Sequence, residues 1–225
     1  MHLIYQQQWA QDLSKQIIHY LQDNLDWIGI PSGVEDAQKA NLSLLDYACG
    51  FGLVTYSLLP WFTKIRGIDI SDNNVDKYNK QARDQGISPD QVFAVQGDAR
   101  SPAIDLASSE FSKFDFIIIS MALHHIDDPK ALLSCLLTRL RPGGHIFIVD
   151  WTPEHYGVPK RDANHLIART PGVSVDGFSQ ETMMELMSSV GFEGGEYRLH
   201  PKRSSMGDMI GGEKQLFFAR GMKPL

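Results

Sequence analysis

The apolar positions along the chain follow two rhythms. Short apolar runs at Ser43–Tyr47 (SLLDY), 64–70 (KIRGIDI), 91–95, Phe114–Ser120 (FDFIIIS) and 145–149 (HIFIV) read as strands. Between them lie stretches of helical spacing. Residues 52–59 read as a helix stopped by Pro60, and Asp72–Asp84 as a polar helix capped by Ser71. Residues 129–140 read as a helix with Pro129 in its first turn and Arg139 near its end. FDFIIIS is apolar enough to be buried on both faces. Strand–helix alternation of this kind predicts right-handed crossovers and a parallel sheet. The tail breaks the alternation. Residues 180–190 read as a helix closed by Gly191, then 196–200 and 215–219 read as two strands with no helix between them. That calls for an antiparallel hairpin at the sheet edge. Ahead of the sheet, Ile4, Leu13, Ile17, Ile18, Leu21 and Leu25 recur at largely helical spacing until Pro31-Ser32-Gly33.

This organisation predicts one domain over 1–225. Its parts are an N-terminal helical cap (1–40), a core (43–150), an irregular segment (151–178) and a closing helix and hairpin (179–220). Segment 151–178 is rich in Pro, Gly and His and poorly periodic, which suits a lid over a binding site. The chain's 225 residues suffice for one α/β domain and are short for two. The net charge of -6 gives no general attraction to phosphate backbones, so no nucleic-acid partner is expected. Cys49 and Cys135 show neither a CxxC nor a zinc spacing. The first residues lack a basic stretch followed by an apolar one, and no apolar run nears the roughly 20 residues that span a bilayer. The expectation is a cytoplasmic protein without membrane insertion.

The candidate chemistry sits at the ends of the predicted strands. Asp46-Tyr47-Ala48-Cys49-Gly50-Phe51-Gly52 follows one strand and opens a helix. Glycines there permit a tight turn and close approach of the backbone to a ligand, and the helix N-terminus favours anionic groups. Asp69 ends the second strand, at a place that suits a ribose diol. Asp98 follows the third strand, in Gly97-Asp98-Ala99. All three acids lie at carboxyl ends, where α/β sheets bind ligands.

With these residues in place, the sequence resembles the class I S-adenosylmethionine-dependent methyltransferases, most nearly the ubiquinone/menaquinone-biosynthesis type of small-molecule enzyme. The resemblance covers about 43–220. It rests on LLDYACGFG, Asp69, Asp98, FDFIIISMALHH and LRPGGHIFIVDW, in that order. It implies a Rossmann-like three-layer α/β/α sandwich. The implied sheet is seven-stranded and mixed, of order 3-2-1-4-5-7-6, with strand 7 antiparallel. It implies S-adenosyl-L-methionine as cofactor, held by Asp46, Ala48, Cys49, Gly50, Gly52, Asp69, Ile70, Gly97, Asp98, Ala99, Ser120 and Met121. Asp69 would serve the ribose and Asp98 the adenine side. The family commonly has glycine where this chain has Ala48, which is tolerable with ordinary backbone dihedrals.

On the acceptor side, His125 and His124 follow the fourth strand and are candidate bases, or else pack beneath the cofactor. Trp151, His155 and Tyr156, in the lid segment, are candidate substrate contacts. Tyr5 and Trp9 either fold over the cofactor or pack as ordinary helix residues. The paired acids Asp127-Asp128 read as a helix cap, and no metal is expected. The expected partner is a small-molecule acceptor, with the protein a monomer or homodimer. Three rivals remain: a protein or RNA methyltransferase, a cofactor-binding protein that does not methylate, and an NAD-dependent dehydrogenase. The last should carry a glycine where Thr55 stands.

Overall fold

The computed structural model describes residues 7–101, 109–156, 174–207 and 212–225. Three helices lead: α1 (Gln8–Asp23), α2 (Leu25–Ile28) and α3 (Val34–Ala40). Then come β1 (Ser43–Tyr47), α4 (Leu53–Leu58), β2 (Lys64–Asp69), α5 (Asp72–Asp84), β3 (Val92–Gln96) and β4 (Phe114–Ser120). The chain continues through α6 (Pro129–Arg139), β5 (Leu140–Tyr156), α7 (Gln180–Ser189), β6 (Glu193–Leu199), β7 (Ser204–Ser205) and β8 (Glu213–Met222).

The sheet order is β3-β2-β1-β4-β5-β8-β6, parallel from β3 to β5, with β8 antiparallel to both β5 and β6. This is the expected order, with β8 in the place of strand 7. The addition is the two-residue β7, which pairs Ser204 with Lys214 and Ser205 with Glu213 of β8. Successive residues of a strand face opposite layers. Thus Phe116 and Ile118 of β4 pack with α1–α5, while Ile117 and Ile119 pack with α6 and α7. The leading helices are part of the first layer: Ile17, Leu21, Leu25 and Ile28 join its core.

Side-chain caps fix where α5, α6 and α7 begin. Asp128 accepts the N–H of Ala131 at 2.8 Å ahead of Pro129, and Ser71 and Ser179 do the same for α5 and α7. The helix expected over 52–59 is shorter, with a 3-10 turn at Leu59–Trp61, because Pro60 cannot donate to the helical ladder.

The irregular segment expected from residue 151 needs correction. β5 runs on to Tyr156, pairing Trp151 with Leu216 and, after a register shift, His155 with Lys214. β8 begins early, at Glu213, and offers the ladder that continues β5. Trp151 is 6% exposed and belongs to the first-layer core. The middle of the expected lid, 157–173, lies outside the described residues, as does Tyr5. Its far end returns to the sheet: Phe178 donates its N–H to the carbonyl of Trp151 at 2.8 Å.

Candidate functional site

Asp46, near the end of β1, is 2% exposed. Its carboxyl accepts the Thr55 hydroxyl at 2.7 Å, and Thr55 in turn accepts the Tyr78 hydroxyl at 3.0 Å. Burial, reinforced by the charge of Asp69, pushes the Asp46 carboxyl up to about 7 despite the Thr55 bond. Thr55, where a dinucleotide fold would need glycine, therefore has its own role here as the partner of this acid.

The turn that follows bends through three left-handed residues, Ala48, Gly50 and Gly52, at φ 57°, 55° and 94°. Ala48 thus does not have the ordinary dihedrals under which an alanine there is tolerable without strain. The turn demands a left-handed residue there, which costs a non-glycine about 1–2 kcal/mol. The two glycines differ in what surrounds them. A Cβ on Gly52 would lie 2.4 Å from the Tyr56 ring, whereas a Cβ on Gly50 would meet nothing within 4 Å among the described residues. Gly52 is needed by the protein's own packing. Gly50 has no such neighbour among the described residues. Cys49 is a buried filler of the turn, its thiol pushed well up by burial and by the charges of Asp46 and Asp69.

Asp69 ends β2 beside this turn. It accepts the N–H of Gly50 at 2.8 Å, the N–H of Ser71 at 2.9 Å and the Asn74 amide at 3.2 Å. Ile70, next in the chain, is 73% exposed, an unusual position for so large an apolar side chain. Gly97 donates its N–H to the carbonyl of Asp69. Asp98 is clamped by Arg100, whose Nη2 donates to it at 2.6 Å, and by the Tyr47 hydroxyl at 3.1 Å. The Arg100 bonds hold the Asp98 carboxyl below the usual range. Arg100, absent from the sequence expectations, joins the candidate site through these bonds; a cation two positions after the acid was its only signal. Ala99 is a buried core residue. Ser120 closes β4, and Met121 follows with a left-handed φ of 55° and an N–H bonded to Val149. The carboxyl ends of β1 to β4 and the turns after them therefore carry Asp46, Gly50, Asp69, Asp98 and Ser120 at one end of the parallel strands.

On the β4–β5 side, the two histidines part company. His125 is exposed, while His124 is 9% exposed and bonded to Asp150. Of the other acceptor-side candidates, Trp151 is in the core and Tyr156 lies under the Arg203 guanidinium, 3.4 Å from the ring centre. His155 is placed by its backbone pairing with Lys214. Lys214 is buried and ion-paired to Asp176, and burial lowers its pKa. Trp9 sits on Gly207, where an added Cβ would come within 2.4 Å of the indole. Among the described residues, no group of three or more His, Cys, Asp or Glu is arranged to hold a metal ion. No helix among them is long and apolar enough to cross a membrane.

Comparison with known proteins places this site in context. A family model described as "Methyltransferase domain" matches residues 9–196. An uncharacterized methyltransferase of Schizosaccharomyces pombe is 35% identical over 121 residues, 50% of this chain and 40% of that protein. A ubiquinone biosynthesis O-methyltransferase of Aeromonas salmonicida is 26% identical over 151 residues, 65% of this chain and 58% of that protein. The chain thus spans about half the length of the curated relatives it matches. In fold, it is similar to a geranyl diphosphate methyltransferase solved with S-adenosylmethionine, with a TM-score of 0.67 and 18% identity. That likeness covers 93% of this chain and 85% of the other. The chain belongs to the methyltransferase-domain family.

Proposed function

We propose that the protein transfers the methyl group of S-adenosylmethionine to a small-molecule acceptor, acting in the cytoplasm as a monomer or homodimer. The observation that carries this reading is the turn at Gly50. Among the described residues nothing stands within 4 Å of a Cβ placed there, while its N–H is fixed by Asp69, the acid at the neighbouring strand tip. The donor set fits the cofactor. Asp69 Oδ2 takes only the Gly50 N–H and keeps a lone pair for a ribose hydroxyl, and exposed Ile70 offers an apolar surface to a purine. Asp98 lies on the adenine side, where an exocyclic amine would take over part of the acceptor capacity that Arg100 and Tyr47 now fill. Asp46, Ala48, Cys49, Gly52, Gly97 and Ala99 shape the turns that carry these groups, and Ser120 and Met121 bound them on the β4 side. Once bound, the cofactor supplies an electrophilic methyl on a good leaving group. The residues of the chain therefore mainly bind, align and exclude water.

A small acceptor is favoured by the net charge of -6 and by the O-methyltransferase named among the relatives. Cys49 and Cys135 are both free, as suits a reducing compartment. Calorimetry tests the cofactor: S-adenosylhomocysteine should bind and NAD should not. Labelled methyl groups should then enter a small-molecule extract rather than protein or RNA extracts. Binding of NAD alone, or labelling of macromolecules alone, would overturn the reading.

A further inference from the structure

Asp150 is wholly buried at 0% exposure, and three donors converge on it. The backbone N–H of His124 donates at 3.0 Å and that of Trp151 at 2.8 Å, and Nδ1 of His124 lies at 2.6 Å. Backbone N–H groups only donate, so the Asp150 oxygens act as acceptors. The imidazole contact then places the shared proton on Nδ1 and leaves the lone pair on Nε2. His124 is fixed from its other side as well, its carbonyl accepting the N–H groups of Ser174 and Val175. Its side chain keeps 11% exposure, just past the end of β4, and its ring packs 4.0 Å from that of His125.

Binding a methyl donor requires none of this. Tying the turn after β4 to β5 would need only the backbone bond from His124 to Asp150. An oriented imidazole with one nitrogen bonded to a buried carboxylate is the arrangement of a positioned base.

We propose that His124 accepts the proton of the methyl acceptor and that Asp150 positions it, so that the acceptor atom carries a weakly acidic proton of the phenol or thiol kind. This rests on the methyl-transfer reading above. An electron pair of the acceptor oxygen or sulfur forms the new bond to the methyl carbon, and the pair of the breaking carbon–sulfur bond leaves on the donor sulfur. The acceptor's proton passes to Nε2 of His124. An imidazole suits such acids at neutral pH. A neutral amine attacks before it loses a proton and needs no base. His124, rather than exposed His125, is the catalytic residue of the pair, and Asp150 is its positioning residue.

The first test uses the protein without any acceptor. Long-range proton–nitrogen spectra of histidine-labelled protein, assigned with His124→Gln, should show Nδ1 protonated and Nε2 bare. Asp150→Asn should shift that tautomer ratio at least about fivefold. A wild-type His124 protonated on Nε2, or an unmoved ratio in Asp150→Asn, overturns the proposal. The second test follows labelled methyl transfer into a small-molecule extract. His124→Ala should slow it on the order of 100-fold, with S-adenosylhomocysteine affinity within about threefold, and added imidazole should restore at least about tenfold. A rate near wild type, absent imidazole rescue, or label only on amines overturns it. Pretreating the extract with N-ethylmaleimide separates the sources, because thiol acceptors are blocked and hydroxyl acceptors survive. A wild-type protein that binds no S-adenosylhomocysteine or transfers no methyl strikes the methyl-transfer reading instead, and the tautomer then decides the pair alone.

Discussion

The carboxylate of Asp69 accepts the backbone N–H of Gly50 at 2.8 Å. The acid that ends β2 therefore also fixes the turn that follows β1. The two features act as one unit, because whatever displaces the acid releases the turn. Asp69 is only 7% exposed and already takes three donors, so a ligand bound there would have only the lone-pair capacity that remains.

Replacing Asp69 should for that reason cost more than one ligand contact. On the proposed reading, Asp69→Ala removes charge-assisted bonds to a ribose, each on the order of 1.5–3 kcal/mol, and it frees the Gly50 N–H in any case. S-adenosylhomocysteine binding should weaken at least about tenfold, with the far-ultraviolet circular dichroism unchanged. Unaltered affinity by calorimetry would remove Asp69 from the cofactor site.

Gly50 and Gly52 should fail in different ways. Gly52→Ala drives a methyl into the Tyr56 ring at a positive φ, so it should destabilise the fold by about 1–3 kcal/mol in urea titrations. Gly50→Ala adds a methyl where no atom of the described residues stands within 4 Å. Its cost in stability should be limited to the strain of the left-handed residue, while S-adenosylhomocysteine binding should fall sharply. If Gly50→Ala binds as wild type does, the turn does not cradle the ligand.

Ala48→Gly should stabilise the protein. Relief of the left-handed strain is worth about 1–2 kcal/mol, offset by about 0.4–1 kcal/mol of extra chain entropy in the unfolded state. A net gain of about half to one kcal/mol should raise the urea midpoint. A lower midpoint would mean that the alanine methyl makes a contact outweighing its strain.

Which parts of the fold were legible follows from the range of the forces involved. FDFIIIS announced a strand buried on both faces, and Phe114–Ser120 is one, because the pattern of a strand's two faces is local. The extension of β5 to Tyr156 was not legible, since it depends on where β8 begins, more than 50 positions later in the chain. The site divides in the same way. Asp46, Gly50 and Asp69 stand in short motifs. The Thr55–Asp46 and His124–Asp150 bonds join residues whose spacing carries no periodic signal. The Arg100 clamp on Asp98 is local but belongs to no motif. The left-handed turn at Ala48 was hidden because the residue itself argues against it.

Stability between pH 5 and 8 should carry the mark of Asp46. Its carboxyl titrates at about 7 in the folded protein against 3.8 as the ordinary value, chiefly because of burial. Between those values the folded state binds more protons than the unfolded state, so stability falls as pH rises and levels off above about 7. At about 1.4 kcal/mol per pKa unit, the loss is a few kcal/mol. Asp98 acts with the opposite sign and elsewhere. Its lowered pKa stabilises the fold above the ordinary carboxylate value and is lost only in stronger acid. His145, lowered by burial, works against Asp46 below its ordinary 6.5, but it is present in any Asp46 variant. Asp46→Asn keeps an oxygen for the Thr55 hydroxyl and cannot ionise. Its stability should therefore exceed that of wild type at pH 8 and approach it at pH 5, measured as urea midpoints across the range. Parallel profiles for the two proteins would show that Asp46 is already ionised at pH 5 and that the turn after β1 carries a charge at no cost.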